Sequence, residues 1–305
     1  MPRFAFLAAL MSAFAGGAFA QKGADTTAVP LKSAADGLPL MATYLPASAG
    51  VEGPINEAPV LILLHGANGD RLVWEKKPTT IDKKPLARVL NDEGFAVLTL
   101  DLRGHGESPL PGGRGVRNND YEAMLGDIEA AKRFLMEEHE AERLNINKLG
   151  IVAADDSAAL AMAYAKLDWE KPDYDDAPVP SQRTPRGRDV RALVLLSPSD
   201  TAGRVRLLTG LTLVREPSLQ IATLVLYGKD DPRDDGLSDK IGRQLRADDD
   251  PKDRYMVFPY PTRARGTDLI GDPNVQGERA VVGFLSDFLK TVESPWVTRK
   301  SRLVR

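Results

Sequence analysis

Several short stretches carry side chains that could attack carbon, move protons or hold charge. In Ala153-Ala154-Asp155-Asp156-Ser157, two carboxylates and a hydroxyl stand where the apolar run LGIVAA gives way to an alanine-rich helical one. Asp155 would then lie at the head of a helix, where free amides and the helix dipole favour an ionised carboxylate. His65-Gly66 closes APVLILLHG, Arg103-Gly104-His105-Gly106 follows FAVLTLDL, and Gly228-Lys229-Asp230-Asp231 closes LQIATLVLYG. Activating a hydroxyl or a water needs a proton acceptor. Imidazoles are scarce here, with only His65, His105 and His139, and there is no cysteine. His139 sits in the charged stretch MEEHEAERL and is expected to be exposed. His65 and His105 are expected to line or brace a cleft. Asp155, Asp156, Asp230, Asp231, Asp234 and Asp235 could offer oxygens to a hard cation, but the Asp-x-Asp-x-Asp-Gly loop spacing is absent. No metal and no cofactor is assigned, and the early strands lack phosphate-binding glycine loops.

The elements that must position these groups are read from hydrophobic periodicity. Thr27 to Ala47 contains two short strands turned at Asp36-Gly37. Continuous apolar runs then alternate with helical patterns. APVLILLHG is followed by a helix over DKKPLARVLNDEG, FAVLTLDL by a long amphipathic helix from Asp120, and NKLGIVAA by the helix DSAALAMAYAKL. DVRALVLLSPS, LQIATLVLYG and DRYMVFPY follow, and QGERAVVGFLSDFLKTV closes the series. Met124, Ile128, Ala131, Phe134 and Leu135 form the apolar face of the long helix. Continuous apolar strands belong to a sheet covered on both faces. Strands separated by helices predict an α/β fold with a mostly parallel sheet of about eight strands flanked by helices. In such sheets ligands bind beyond the carboxyl ends of the strands, which is where the polar stretches above fall. Asp168 to Arg188, rich in Pro, Asp and Arg, reads as an exposed excursion. TAGRVRLLTGLTLVREPS is placed to form a small cap.

The 305 residues suit one large domain, at 43% hydrophobic and 27% charged, with a formal net charge of −3. That balance argues against general nucleic-acid binding. Residues 1–20, MPRFAFLAALMSAFAGGAFA, show a basic start, an apolar run and a small-x-small end. This pattern predicts a secretory signal cleaved near Ala20 and a secreted or periplasmic mature chain. No later stretch reaches the roughly 20 apolar residues of a membrane span. Residues 21–292 are read as the domain, and residues 293–305 as a basic tail expected to fray.

The order of these segments resembles the α/β-hydrolase fold family, of an exported esterase or dienelactone-hydrolase-like kind. LDLRGHGES is similar to the family's Asp-x-Arg-Gly-x-Gly-x-Ser loop, and VLILLHG to the strand end whose loop helps build the oxyanion hole. The resemblance places His65, Gly66, Ala67, Asp156 and Arg103 on the oxyanion and cleft loops, with Arg103 there most often a brace. It implies a nucleophile elbow, Gly-x-Ser-x-Gly, at Ala153 to Ser157, with Asp155 in the nucleophile's place. It implies the triad acid at Asp231. The triad histidine should follow the next strand, but YMVFPYPTRARGTD has none, and Arg265 best matches its place.

Relatives that resemble haloalkane dehalogenases and soluble epoxide hydrolases use an elbow aspartate to form an alkyl ester, which a histidine-activated water then hydrolyses. Arginine cannot act as that base, because its side chain stays protonated and only donates. His105 is the alternative base, and Ser157 reads as a packing residue. Two carboxylates and a guanidinium at the triad's positions predict an Asp155–Arg265–Asp231 ionic cluster. The sequence therefore points to a hydrolase fold without ordinary serine-hydrolase chemistry, serving as a binding or envelope-associated module with a small molecule in the cleft as its partner. The alternative is a hydrolase of ester or alkyl substrates that uses Asp155.

Overall fold

The computed structural model describes residues 26–47, 51, 53–245 and 254–303. The signal-like segment, residues 1–20, lies outside them.

Strands β1 (Thr27–Lys32) and β2 (Pro39–Leu45) form an antiparallel hairpin. Then come β3 (Val60–Leu64), α1 (Leu72–Lys76), α2 (Leu86–Asp92), β4 (Ala96–Leu100), α3 (Asn118–Glu140), β5 (Leu149–Ala154), α4 (Ser157–Trp169) and β6 (Val190–Leu196). A small hairpin, β7 (Thr201–Ala202) and β8 (Val205–Arg206), leads into α5 (Leu208–Val214). The chain continues through β9 (Ala222–Gly228), α6 (Leu237–Leu245), β10 (Tyr255–Tyr260) and α7 (Gly277–Leu289).

Eight strands form one sheet in the order β1-β2-β4-β3-β5-β6-β9-β10. The pairs β1–β2 and β2–β4 are antiparallel, and all others are parallel. Every residue of β3, β4, β5 and β9 is buried, as expected for strands covered on both faces. Side chains alternate between two cores. Val60, Ile62 and Leu64 pack toward α3, α4, α5 and α6, while Leu61 and Leu63 pack toward α1, α2 and α7. Helix α4 runs through the first core, with all of Ser157 to Ala165 buried, so its alanines serve close packing rather than an amphipathic face.

Two boundaries differ from the sequence reading. Helix α2 begins at Leu86 rather than Asp82. Pro85 keeps the preceding residue out of helical conformation, and Asp82 and Lys83 are left-handed, with φ of 53° and 57°. Helix α3 begins at Asn118, and Asp120 acts from its third position by accepting the Arg117 amide at 2.7 Å. The excursion after α4 is internally braced, through Tyr174 N to Thr184 O at 2.9 Å and Arg188 to Asp173 at 2.9 Å.

The tail and His139 correct two expectations together. Described residues 293–303 are docked, not frayed. His139 is fully buried, with Nε2 donating to Val297 O at 2.9 Å and Nδ1 accepting from Ile146 N at 3.3 Å. Trp296 Nε1 donates to His139 O at 2.9 Å. Arg299, only 4% exposed, binds Asp189, Asn147 and the carbonyls of Pro185 and Gly187. A charged stretch conceals burial when its partner segment is more than 150 residues away. Among the described residues, no helix is long and apolar enough to cross a membrane.

Candidate active site at the strand-to-helix elbow

Asp155 and Asp156 join the end of β5 to the start of α4, and Asp155 has a φ of 54°. A left-handed backbone is uncommon for a side chain of this kind and marks a turn that its surroundings hold in place. Here the hold is on both sides: Asp155 N donates to Leu196 O on β6 at 3.0 Å, and Ser199 N donates to Asp155 O at 3.0 Å. Gly66 and Gly266 make room for the carboxylate. A methyl group added at either would come within 2.4 or 2.5 Å of Asp155 Oδ2. The other oxygen, Oδ1, lies 2.7 Å from Arg265 Nε.

Arg265 reaches two further partners. Its Nη1 lies 2.8 Å from Asp231 Oδ2, and its Nη2 donates to Ser199 Oγ at 2.9 Å. The guanidinium thus spans the two carboxylates, and its side chain is only 8% exposed. Asp231 also accepts from the Arg233 amide at 3.0 Å. Burial pushes the Asp231 carboxyl up, but the bonds from Arg265 and Arg233 outweigh it and leave the group below the usual carboxylate range. Burial raises the Asp155 carboxyl, Arg265 pulls it back, and neighbouring Asp156 adds to the rise. The predicted ionic cluster therefore forms, with Ser199 as a member that no motif announced.

The other expected cleft residues divide between bracing and lining. His65 is 1% exposed and locked at both nitrogens: Nδ1 donates to Gly66 O at 2.8 Å, and Leu102 N donates to Nε2 at 3.2 Å. Burial pushes its imidazole down to about 4. Ser157 is buried, and its hydroxyl donates to His65 O, which ties the helix start to the β3 strand end. Arg103 does not face the cleft. It binds Asp127 at 2.7 Å, Asp36 at 2.8 Å and Ser33 at 2.7 Å, clamping its loop to α3 and the β1–β2 turn.

His105 is half-buried. Its Nδ1 donates to Gly69 O at 3.1 Å, and its ring lies 4.8 Å from that of His65. It stands on the Asp156 side of the elbow rather than beside Asp231. Asp156 has a buried oxygen, Oδ1, without a hydrogen-bond partner among the described residues. Burial raises this carboxyl against the pull of the Tyr121 hydroxyl and His105. Ala67, His105, Tyr121 and Asp156 line a seam too narrow to admit a water molecule. The β7–β8 hairpin closes on it, with Gly203 packed against Tyr121. No group of three potential metal ligands occurs among the described residues.

Sequence reasoning missed Arg71. Its guanidinium pairs with the fully buried Asp101 and reaches Glu107 at 3.0 Å. Asp101 also accepts the amides of Arg71 at 2.7 Å and Glu107 at 2.8 Å, so the loop after β4 is fixed from beneath. No spacing rule links Arg71 to Asp101, thirty residues away.

The sequence profile of the family described as the alpha/beta hydrolase family matches residues 61–302. The chain belongs to the alpha/beta hydrolase family. Solved structures similar to this family member include an esterase from Pyrococcus furiosus, at 14% identity and a TM-score of 0.58, covering 87% of this chain and 92% of that one. A dienelactone hydrolase from Anabaena variabilis gives 16% identity and a TM-score of 0.54, over 88% and 99% of the two chains. An acylaminoacyl peptidase from Pyrococcus horikoshii gives 14% and 0.61, over 93% of this chain and 44% of that one. At these identities the likeness is one of fold. No curated protein sequence matches the chain significantly.

Proposed function

We propose that this member of the alpha/beta hydrolase family acts outside the cytoplasm as a binding or envelope-associated module and does not turn over esters by serine-hydrolase chemistry. The observation that carries this reading is the Arg265 guanidinium lying between Asp155 and Asp231. Acyl transfer at an elbow needs a nucleophile, a group that takes its proton, and a space for the tetrahedral intermediate. A guanidinium offers donors only. The seam beside the elbow has no room for substrate, and the Ser157 hydroxyl is already committed to His65 O.

The direct test exposes the purified mature protein to a fluorophosphonate probe and to p-nitrophenyl esters. The expected result is no covalent label and no turnover above buffer. Labelling that Asp155→Asn leaves intact, or Ser157→Ala abolishes, would overturn the reading.

A second reading, hydrolysis through Asp155 as a carboxylate nucleophile, draws support from the half-buried His105 beside Asp156. It is opposed by the engagement of Asp155 Oδ1 by Arg265. With no base positioned to hydrolyse it, an alkyl ester on Asp155 would accumulate. Intact mass spectrometry after treatment with alkyl halides or epoxides would detect that adduct, and its absence disposes of this second reading.

A further inference from the structure

An apolar-walled space lies away from the elbow, on the α3–α4 side. A cavity of about 550 Å³ opens between α3, α4, the β1–β2 turn and the excursion that follows α4. That volume falls within the about 300–1,000 Å³ common for small-molecule sites. None of its lining residues belongs to the elbow. We propose that it is a ligand site for an organic anion with an apolar body, of the aryl or medium-chain carboxylate class.

The walls and the charges argue for that class separately. Leu125 and Met136 from α3, Leu167 from α4, Ala35 from the turn and Pro172 from the excursion give an apolar lining. Two tyrosines add ring faces, each with a cation over it: Lys171 Nζ lies 5.7 Å from the Tyr164 centroid, and Arg186 Cζ lies 5.2 Å from that of Tyr174.

Four cations line the space, Lys132, Arg133, Lys171 and Arg186, against one carboxylate, Glu129. Glu129 is already satisfied by Lys171 at 2.5 Å and the Tyr164 hydroxyl at 2.6 Å. Lys132 is turned into the protein and neutralised by the fully buried Asp168 and Asp189. The unspent charge is therefore at the rim. Arg186 is exposed and has no carboxylate within ion-pair distance among the described residues. Arg133 lies 3.8 Å from the already committed Glu129, with its side chain 65% exposed. Two arginine forks above an apolar, ring-lined pocket suit a carboxylate head at the mouth and its apolar body inside.

The excursion supplies one wall, and it is held in place. Besides its internal bonds, Gly187 packs directly against Asp168 O, and Arg299 binds the Gly187 carbonyl at 2.8 Å. A site built in advance loses less on ordering when ligand enters.

Isothermal titration of the mature protein with decanoate, decanol and decyltrimethylammonium tests the proposal. Decanoate should bind about ten-fold or more tightly than either of the others. The double variant Arg133→Gln/Arg186→Gln should weaken decanoate by about ten-fold or more while leaving decanol unchanged. Both arginines are on the surface, and Arg133→Lys/Arg186→Lys should keep most of the binding, which separates lost charge from lost packing. Absence of decanoate binding, equal binding of the three probes, or decanoate affinity indifferent to the Gln variant would overturn the proposal. The outcome is separate from the fluorophosphonate test, since the varied residues lie outside the elbow.

Discussion

Arg265 lies between Asp155 and Asp231, and the physical consequence is an ionic lock. Two carboxylates brought this close repel unless a cation stands between them, and Asp231 is nearly inaccessible to water. Arg265→Met should therefore lower stability at pH 7 by about 2–4 kcal/mol, since it leaves one buried and one partly exposed charge unpaired. Asp231 has its carboxyl held below the usual range by Arg265. The stability it contributes is present above the ordinary carboxylate pKa and is lost as pH falls through the lower, folded value. The gap between the native chain and Arg265→Met, read from urea unfolding, should thus shrink as pH is lowered from 7 toward 3; a gap that does not change with pH would show that only packing was lost.

His65 makes the opposite kind of contribution, as a base kept neutral. Its folded pKa of about 4 lies below the ordinary histidine value of 6.5. Between those two values the unfolded chain binds more protons than the folded one, so stability falls as pH drops through that window and is fully retained above it. The full difference amounts to about 3 kcal/mol. His65→Gln should unfold at lower denaturant at pH 7 but show a flatter decline between pH 7 and pH 4. An unchanged slope would mean that other groups carry the acid sensitivity.

At the scale of elements, the elbow is shaped by what β5 and α4 must do together. Strand β5 is buried on both faces, and α4 is buried from Ser157 through Ala165. Only a sharp turn joins two such elements end to end, and Asp155 takes the left-handed conformation that the turn requires. The C-terminal segment is the second element with structural consequence. Arg299 anchors it under the sheet, sharing Asp189 with Lys132. Arg299→Ala should destabilise the protein by about 2 kcal/mol, below the range for an orphaned buried charge because Lys132 still partners Asp189. A chain ending at Val292 should lose more, since Trp296 and the His139 bond to Val297 go with it. Urea midpoints of the two variants, compared with the full chain, check this order.

Across the whole molecule, the cavity of about 550 Å³ on the α3–α4 side shares no lining residue with the narrow seam beside the elbow. The proposal of a module outside the cytoplasm further rests on residues 1–20, whose basic, apolar and small-x-small pattern is that of an export signal. Expressed with its native N-terminus in a Gram-negative host, the protein should be recovered from the periplasm with Gln21 as its first residue, as read by N-terminal sequencing. Retention of Met1 on cytoplasmic protein would count against export.

The parallel sheet, its flanking helices and the positions of Asp155, Asp231 and Arg265 were legible in the sequence. Each depends on short-range patterns: apolar runs, periodicity, glycine-marked strand ends, and motif order along the chain. What joins segments far apart was not legible. The pairing of Arg71 with Asp101, the recruitment of Ser199 to the cluster, and the burial of His139 beneath Trp296 each arise where distant segments meet. The part of the largely exposed excursion in walling the cavity belongs with them. Residue type and local spacing by themselves determined the sheet and set two carboxylates and a guanidinium at the loops beyond its strand ends. Tertiary structure alone decided that those charges lock together and that the tail docks, because contact and desolvation depend on neighbours that chain order does not specify.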